Sequence, residues 1–232
     1  MQQYTVMKSD LSKYQGNILI INTKHYERAT GRRSTEFFAQ LPDTNAFKGW
    51  EIHYAIGAYD LHIADKFPAK SFYAQHVDPV GYGPFTGKIS IEMLIDSGIR
   101  GSMINHSEYR LNFDTIEMIV SKARTLDFNI IVCAENLGEV ARFAEIGAPI
   151  VAYEPPELIG GSISVSTAKP DIIEKAAEVC KKNSVKLIVG AGIKAHNDIS
   201  TSLKLGAVGG LVASGVVLAS HPAVAITSLI NN

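Results

Sequence analysis

Residues 101–134 read GSMINHSEYRLNFDTIEMIVSKARTLDFNIIVCA, and the unit contained in this stretch recurs along the rest of the chain. A short apolar run, Gly101–Asn105, leads into a helical pattern, Asp114–Leu126, and then into a second apolar run, Ile130–Ala134. Within the helical segment Ile116, Ile119, Val120 and Ala123 recur at three- and four-residue spacing, which puts them on one face. The flanking runs are too short for helices and suit buried strands. Working outward, further strands are expected at Ile18–Asn22, Glu51–Ala55, Ser71–Gln75, Pro149–Tyr153, Lys186–Gly190 and Gly209–Ala213. A second clear helix is expected over Asp171–Lys182, with Ile172, Ala176 and Val179 on its buried stripe. Eight strands, each followed by a helix, in 232 residues predict an α/β fold: a single (β/α)8 barrel of eight parallel strands spanning residues 1–232. A doubly wound open sheet is the competing arrangement, but no Gly-x-Gly-x-x-Gly follows the first strand.

Composition fits one substantial core, since 46% of residues are hydrophobic. The formal net charge of −1 supplies no electrostatic reason to expect nucleic acid or a membrane surface as partner, so an anion would have to be bound locally. Met1-Gln2-Gln3-Tyr4 shows no basic region leading into an apolar stretch, so no secretory signal is expected. The longest uncharged stretch, Gly206 to Ser220, is shorter than the ~20 residues that cross a bilayer and reads as a buried strand plus turn. Cys133 and Cys180 are expected to be reduced and buried, in a cytoplasmic protein.

In a parallel barrel the chemistry belongs at the carboxyl ends of the strands. Side chains alternate along a strand, so Ile18, Ile20, Asn22 and Lys24 share a side of the first strand and its extension. The same parity groups Ile104 with His106 on strand four, and Ile150 and Ala152 with Glu154 on strand six. One mouth then collects an ammonium, an imidazole and a carboxylate. Taken singly, such residues are more often solvated or structural; at three strand ends of one barrel they form a candidate site. After Glu154, the segment Pro155-Pro156-Glu157-Leu158-Ile159-Gly160-Gly161-Ser162 pairs stiff prolines with free glycines, and its apolar Leu158-Ile159 suits a lid as well as an ordinary connection. Gly190-Ala191-Gly192-Ile193 and Ala213-Ser214-Gly215-Val216 follow strands seven and eight, where barrels of this kind often hold phosphate on backbone N–H groups. A short helix is expected to start near Ser214. No set of three histidine or carboxylate ligands groups at the strand ends. His25, His53, His62, His76, His196 and His221 read as rim, core or surface residues, and no metal site is expected.

The runs Asn22-Thr23-Lys24, Ala74-Gln75-His76-Val77-Asp78, Phe85-Thr86-Gly87-Lys88-Ile89-Ser90, Asn105-His106-Ser107-Glu108 and Tyr153-Glu154-Pro155-Pro156-Glu157-Leu158-Ile159-Gly160 resemble the triose-phosphate isomerase family, its shorter archaeal-type branch especially. The resemblance runs in order along nearly the whole chain. It implies a TIM barrel and a cofactor-free, metal-free aldose–ketose isomerase of glycolysis and gluconeogenesis, acting on glyceraldehyde 3-phosphate and dihydroxyacetone phosphate. It further implies Glu154 as the base, His106 as the electrophile, Lys24 as the fixed positive charge and Asn22 as a holder of substrate oxygens. Phosphate would be bound by backbone N–H groups near Ile159, Gly160, Gly192, Ala213 and Ser214, and Glu108 would be a second carboxylate whose role is support rather than that of primary base. A homodimer or homotetramer is implied through the loop after strand three, His76 to Lys88, which would bring Thr86 beside a neighbour's Asn22 and Lys24. Lys88 and Tyr109 depart from the residues that make a contact between subunits in the longer branch. Gly160-Gly161-Ser162 departs from the usual lid tip, Gly-Thr-Gly. A silent phosphosugar-binding barrel or a different phosphosugar enzyme is the alternative; the former is expected to have lost one of Lys24, His106 or Glu154.

Overall fold

The computed structural model of the protein describes residues 16–161 and 164–231. The readings at Met1–Tyr4 and at Ser162 lie outside these described residues. Eight parallel strands close into a barrel in sequence order: β1 (Asn17–Asn22), β2 (Trp50–Ile56), β3 (Ser71–Ala74), β4 (Gly101–Ile104), β5 (Asn129–Ala134), β6 (Ile150–Tyr153), β7 (Lys186–Val189) and β8 (Gly209–Val212). Each strand lies within a residue or two of its expected position, because short, mostly apolar runs buried on both faces have few other places to go. Around them run α1 (Ser34–Ala39), α2 (Ile91–Asp96), α3 (Phe113–Thr125), α4 (Leu137–Glu145), α5 (Val165–Ala168), α6 (Pro170–Lys182), α7 (His196–Lys204), α8 (Ser214–Val217) and α9 (Pro222–Ile230).

Alternation along the strands splits the core into two clusters. Ile18, Ile20, Ala55, Tyr73, Met103, Ile131, Cys133, Ile150, Ala152, Ile188 and Leu211 fill the barrel interior. Their alternates, such as Leu19, Ile21, Ile104, Ile130, Val132, Val151 and Leu187, pack outward against the helices. Closure of β8 onto β1 depends on Gly209: a Cβ there would lie 1.8 Å from the Ile18 carbonyl oxygen, so any side chain would force the two strands apart. Asn112 and Asn136 accept hydrogen bonds from Thr115 N and Glu139 N, both at 2.9 Å, and so cap α3 and α4.

Two expectations about the helices need correction. The segment after β2, Ala58–Lys66, is a 3-10 helix rather than an α-helix. Its two buried residues, Asp60 and Ile63, are three apart, the spacing that repeats on one face of the tighter helix. Asp60 anchors it by accepting from Thr30 Oγ1 and from Gly31 N. In α6 the fully buried stripe is Ile173, Ala176 and Cys180; Ile172 and Val179 are half-buried on its flank. Both sets satisfy the helical period, and packing against α4 and β7 selects between them. On α3 the stripe Ile116, Ile119, Val120 and Ala123 is buried as expected. Cys133 and Cys180 are both free and buried. Gly206 to Ser220 contains β8 and α8, and no helix among the described residues is long and apolar enough to cross a membrane.

Candidate active site

At the end of β1 the chain turns through Lys24 with φ 46°, a left-handed conformation uncommon outside glycine. Asn22 stabilises this turn by accepting a hydrogen bond from Lys24 N at 3.0 Å. Gln75, just past β3, lies with its Nε2 3.1 Å from Asn22 Oδ1 and 3.2 Å from the carbonyls of Lys24 and Ala55. It thereby holds the Asn22 amide, a role that nothing in its own segment announces. Lys24 Nζ reaches Glu108 Oε1 at 2.6 Å, and this pair joins the mouths of β1 and β4.

The parity reading of β4 fails. Met103 faces the barrel interior and Ile104 faces the helices, so a continued strand would turn His106 outward. Asn105 breaks the alternation with φ 61°, and His106 swings into the mouth, where it is 7% exposed. The chain then makes a single turn, with Tyr109 N donating to the His106 carbonyl at 2.8 Å. Within that turn Glu108 N donates to His106 Nδ1 at 3.2 Å, shorter than the 3.6 Å from Nδ1 to the Glu108 carboxylate. A ring that accepts at Nδ1 carries its proton on Nε2. Burial pushes the imidazole pKa below its usual value, and Lys24 pushes the same way against the opposing charge of Glu108, so burial and Lys24 favour the neutral ring.

Glu154 follows β6, its backbone N donating to Ala134 O at 2.8 Å. Its side chain points inward, as parity with Ile150 and Ala152 requires, and is 4% exposed. Gly190 makes the space: a Cβ there would sit 2.4 Å from Glu154 Oε1. The carboxyl is raised from the usual 4.5 to about 7, chiefly by burial, with Glu108 adding repulsion while the Cys133 thiol and Lys24 oppose the rise. Among the described residues Glu154 Oε2 has no hydrogen-bond partner, and it lies 3.8 Å from His106 Nε2. A carboxyl near its switching point thus lies beside an N–H donor without a hydrogen bond to it.

A cavity of about 70 Å³ joins this cluster to the last strand ends, lined by Lys24, His106 and Glu154 and by Ile159, Gly160, Gly192, Ala213 and Ser214. The five positions at which the resemblance implies phosphate therefore share one cavity with these three side chains, and α8 starts at Ser214 as expected. Ala191, also in the lining, has φ 72° and was not singled out for itself. Beyond Glu154 the chain makes a 3-10 turn at Pro156–Leu158, tied by an ion pair between Glu157 and Lys169. Leu158 and Ile159 are half-buried rather than exposed, Leu158 against the helix-side core. A wider recess of about 720 Å³ opens beside Asn22, Lys24, Gln75, His76, His106 and Tyr109. Thr86 lines neither space in its own chain and is exposed.

Fold and mouth together define the class: a (β/α)8 barrel with an acid–base cluster and a backbone-lined pocket at the carboxyl ends of its strands. Comparison with known proteins narrows it. The family model described as triosephosphate isomerase matches residues 17–231. The triosephosphate isomerase of Thermoplasma volcanium is 46% identical over 212 residues, covering 91% of this chain and 98% of its own. Those of Archaeoglobus fulgidus and Methanothermobacter thermautotrophicus are 39% and 37% identical, covering 92% and 97% of this chain and 96% and 99% of theirs. The chain belongs to the triosephosphate isomerase family.

Proposed function

We propose that this mouth interconverts D-glyceraldehyde 3-phosphate and dihydroxyacetone phosphate through an enediolate, with Glu154, His106, Lys24 and Asn22 as the working groups and no cofactor or metal. The observation that carries the reading is the buried Glu154 Oε2, without a hydrogen-bond partner among the described residues and 3.8 Å from His106 Nε2, in one cavity with Lys24 and the glycine-rich loops. A proton on carbon beside a carbonyl is weakly acidic, so its removal needs a placed base and stabilisation of the oxygen that gains charge. Glu154 takes the proton, the C–H electrons become the carbon–carbon double bond, and the former carbonyl electrons move to oxygen. His106 Nε2–H and the Lys24 ammonium stabilise that oxygen. Return of the proton from Glu154 to the neighbouring carbon completes the exchange, while His106 passes a proton between the two oxygens. Asn22 holds the substrate oxygens and Lys24 in place. Backbone N–H groups near Ile159, Gly160, Gly192, Ala213 and Ser214 bind the phosphate, with Glu108 setting the position of Lys24.

The proposal extends to the whole of residues 1–232 as one domain, working in the cytoplasm on small triose phosphates, and to a homodimer or homotetramer. The loop from His76 to Lys88 supports the last point. Its neck is closed by Asp78 N to Ile89 O at 2.7 Å and Ile89 N to Asp78 Oδ2 at 2.9 Å, while Tyr82 and Phe85 stand 68% and 43% exposed beyond it. Lys88 pairs with Asp78 of its own chain at 2.8 Å and Tyr109 rests edge-on against His76. Seating this loop in a neighbour's recess beside Asn22 and Lys24 would bring Thr86 to the site and cover its apolar residues. A coupled assay on purified protein with glyceraldehyde 3-phosphate, without added metal or cofactor, tests the activity. Silence there would favour a phosphosugar-binding barrel without catalysis.

A further inference from the structure

We infer that Asn105 is the positioning residue that turns His106 into the mouth and selects the ring nitrogen that keeps its proton. The β4–β5 ladder pairs Ile104 with Val132, and its next step would pair Asn105 with Cys133. At that step the Asn105 backbone departs with φ 61°, and its side-chain Nδ2 donates to the Cys133 carbonyl at 2.8 Å instead. Its Oδ1 accepts from Leu111 N at 3.0 Å, closing the loop that contains His106. Its carbonyl accepts from Arg110 Nη1 at 3.2 Å, and that guanidinium is in turn held by Glu139 on α4. Asn105 is 1% exposed, so removing its side-chain amide would take the partner from the Cys133 carbonyl and from Leu111 N, while the Arg110 bond to its backbone carbonyl would remain.

The substitution of a side-chain bond for a ladder bond has two consequences. It reverses strand parity, without which His106 faces the helix layer. It also ties the reversal to β5, the strand whose Cys133 thiol meets the Glu154 carboxyl and whose Ala134 carbonyl takes the Glu154 N–H. The distance between acid–base partners on β4 and β6 is thereby referred to a common strand. The turn that follows places Glu108 N on His106 Nδ1, so the same kink sets the tautomer. Asparagine suits the position because it tolerates left-handed backbone better than most residues and offers both a donor and an acceptor. Glycine would supply the conformation but neither bond.

The inference rests on the proposed role of His106 for its effect on rate, and the test separates the two. In protein labelled with 15N in histidine, the His106 signals, assigned by their loss in H106Q, are expected to show a protonated Nε2 and an unprotonated Nδ1. N105G, which keeps the backbone conformation, should shift them toward a mixture of tautomers and lower kcat by ~10²-fold with KM changed far less, as for a misplaced catalytic group. N105D keeps the Leu111 acceptor but sets an oxygen against the Cys133 carbonyl, and should show the same spectral change. An N105G spectrum identical to the parent overturns the inference whatever the activity. Full activity of H106Q would instead remove the proposed role of His106 and leave the spectral test standing.

Discussion

Replacing Glu154 with Gln separates what the buried carboxylate does for catalysis from what it costs the fold. The glutamine keeps the shape and cannot ionise. A group lifted from 4.5 to about 7 binds a proton more tightly in the folded chain than in the unfolded one. Its favourable contribution is therefore fully present below pH 4.5 and is lost as pH rises through about 7. At ~1.4 kcal/mol per tenfold change in proton affinity, ionised Glu154 disfavours the fold by about 3 kcal/mol relative to a carboxylate in water. E154Q should consequently gain stability over the parent as pH is raised from 4.5, with the difference growing by about 3 kcal/mol and levelling off above pH 7. Urea unfolding of both proteins at fixed concentration across pH 4–9 reads this, since titrating groups remote from Glu154 cancel in the difference and only its neighbours, His106 above all, add to it. The same substitution should lower kcat by ~10²–10⁴-fold. A stability difference that is flat with pH would refute the claim that burial holds this carboxyl near neutrality. Near-full kcat in E154Q freed of host enzyme would refute its role as base.

In the parent, kcat/KM should rise with pH through about 7 as Glu154 ionises. K24M removes a charge that opposes the rise of Glu154, so that limb should move to higher pH while kcat/KM falls by ~10²–10³-fold and circular dichroism is unchanged; a change in KM alone would mean that Lys24 only holds phosphate. G190A places a methyl 2.4, 2.6 and 2.7 Å from Glu154 Oε1, Cγ and Cδ, so the whole carboxyl arm must move aside and kcat should fall by ~10²-fold. Unchanged kcat in G190A would show that the observed Glu154 rotamer is not the working one. Sedimentation velocity at micromolar concentrations, run alongside activity, should show activity tracking a dimer or larger even-numbered assembly, and a fully active monomer would exclude the proposed role of the loop from His76 to Lys88.

Much of this protein follows from its order of residues. The eight strands could be counted in the sequence because an apolar run buried on both faces is legible without knowing its neighbours. Asn22 and Glu154 could be placed at the mouth because strand parity carries through to them from Ile18–Ile20 and Ile150–Ala152. The family's motifs supplied the same residues from a separate direction. Parity alone gives the wrong side for His106, because it assumes a ladder that continues; Asn105 leaves the ladder and bonds Cys133 and Leu111, residues 28 and 6 positions away. The buried stripe of α6 was ambiguous by one residue for a related reason: two sets share the helical period, and only the neighbouring elements distinguish them. Gly190 could be noticed as a glycine at a strand end, but that its missing Cβ makes room for Glu154 is a fact about two strands laid side by side. The sequence by itself thus determined which segments are strands and which residue types reach the rim, since these depend on local period and burial. Tertiary structure alone decided the direction of His106, the burial that lifts Glu154 to about 7 and the hold of Gln75 on Asn22, because each arises from groups distant in sequence meeting where water is excluded.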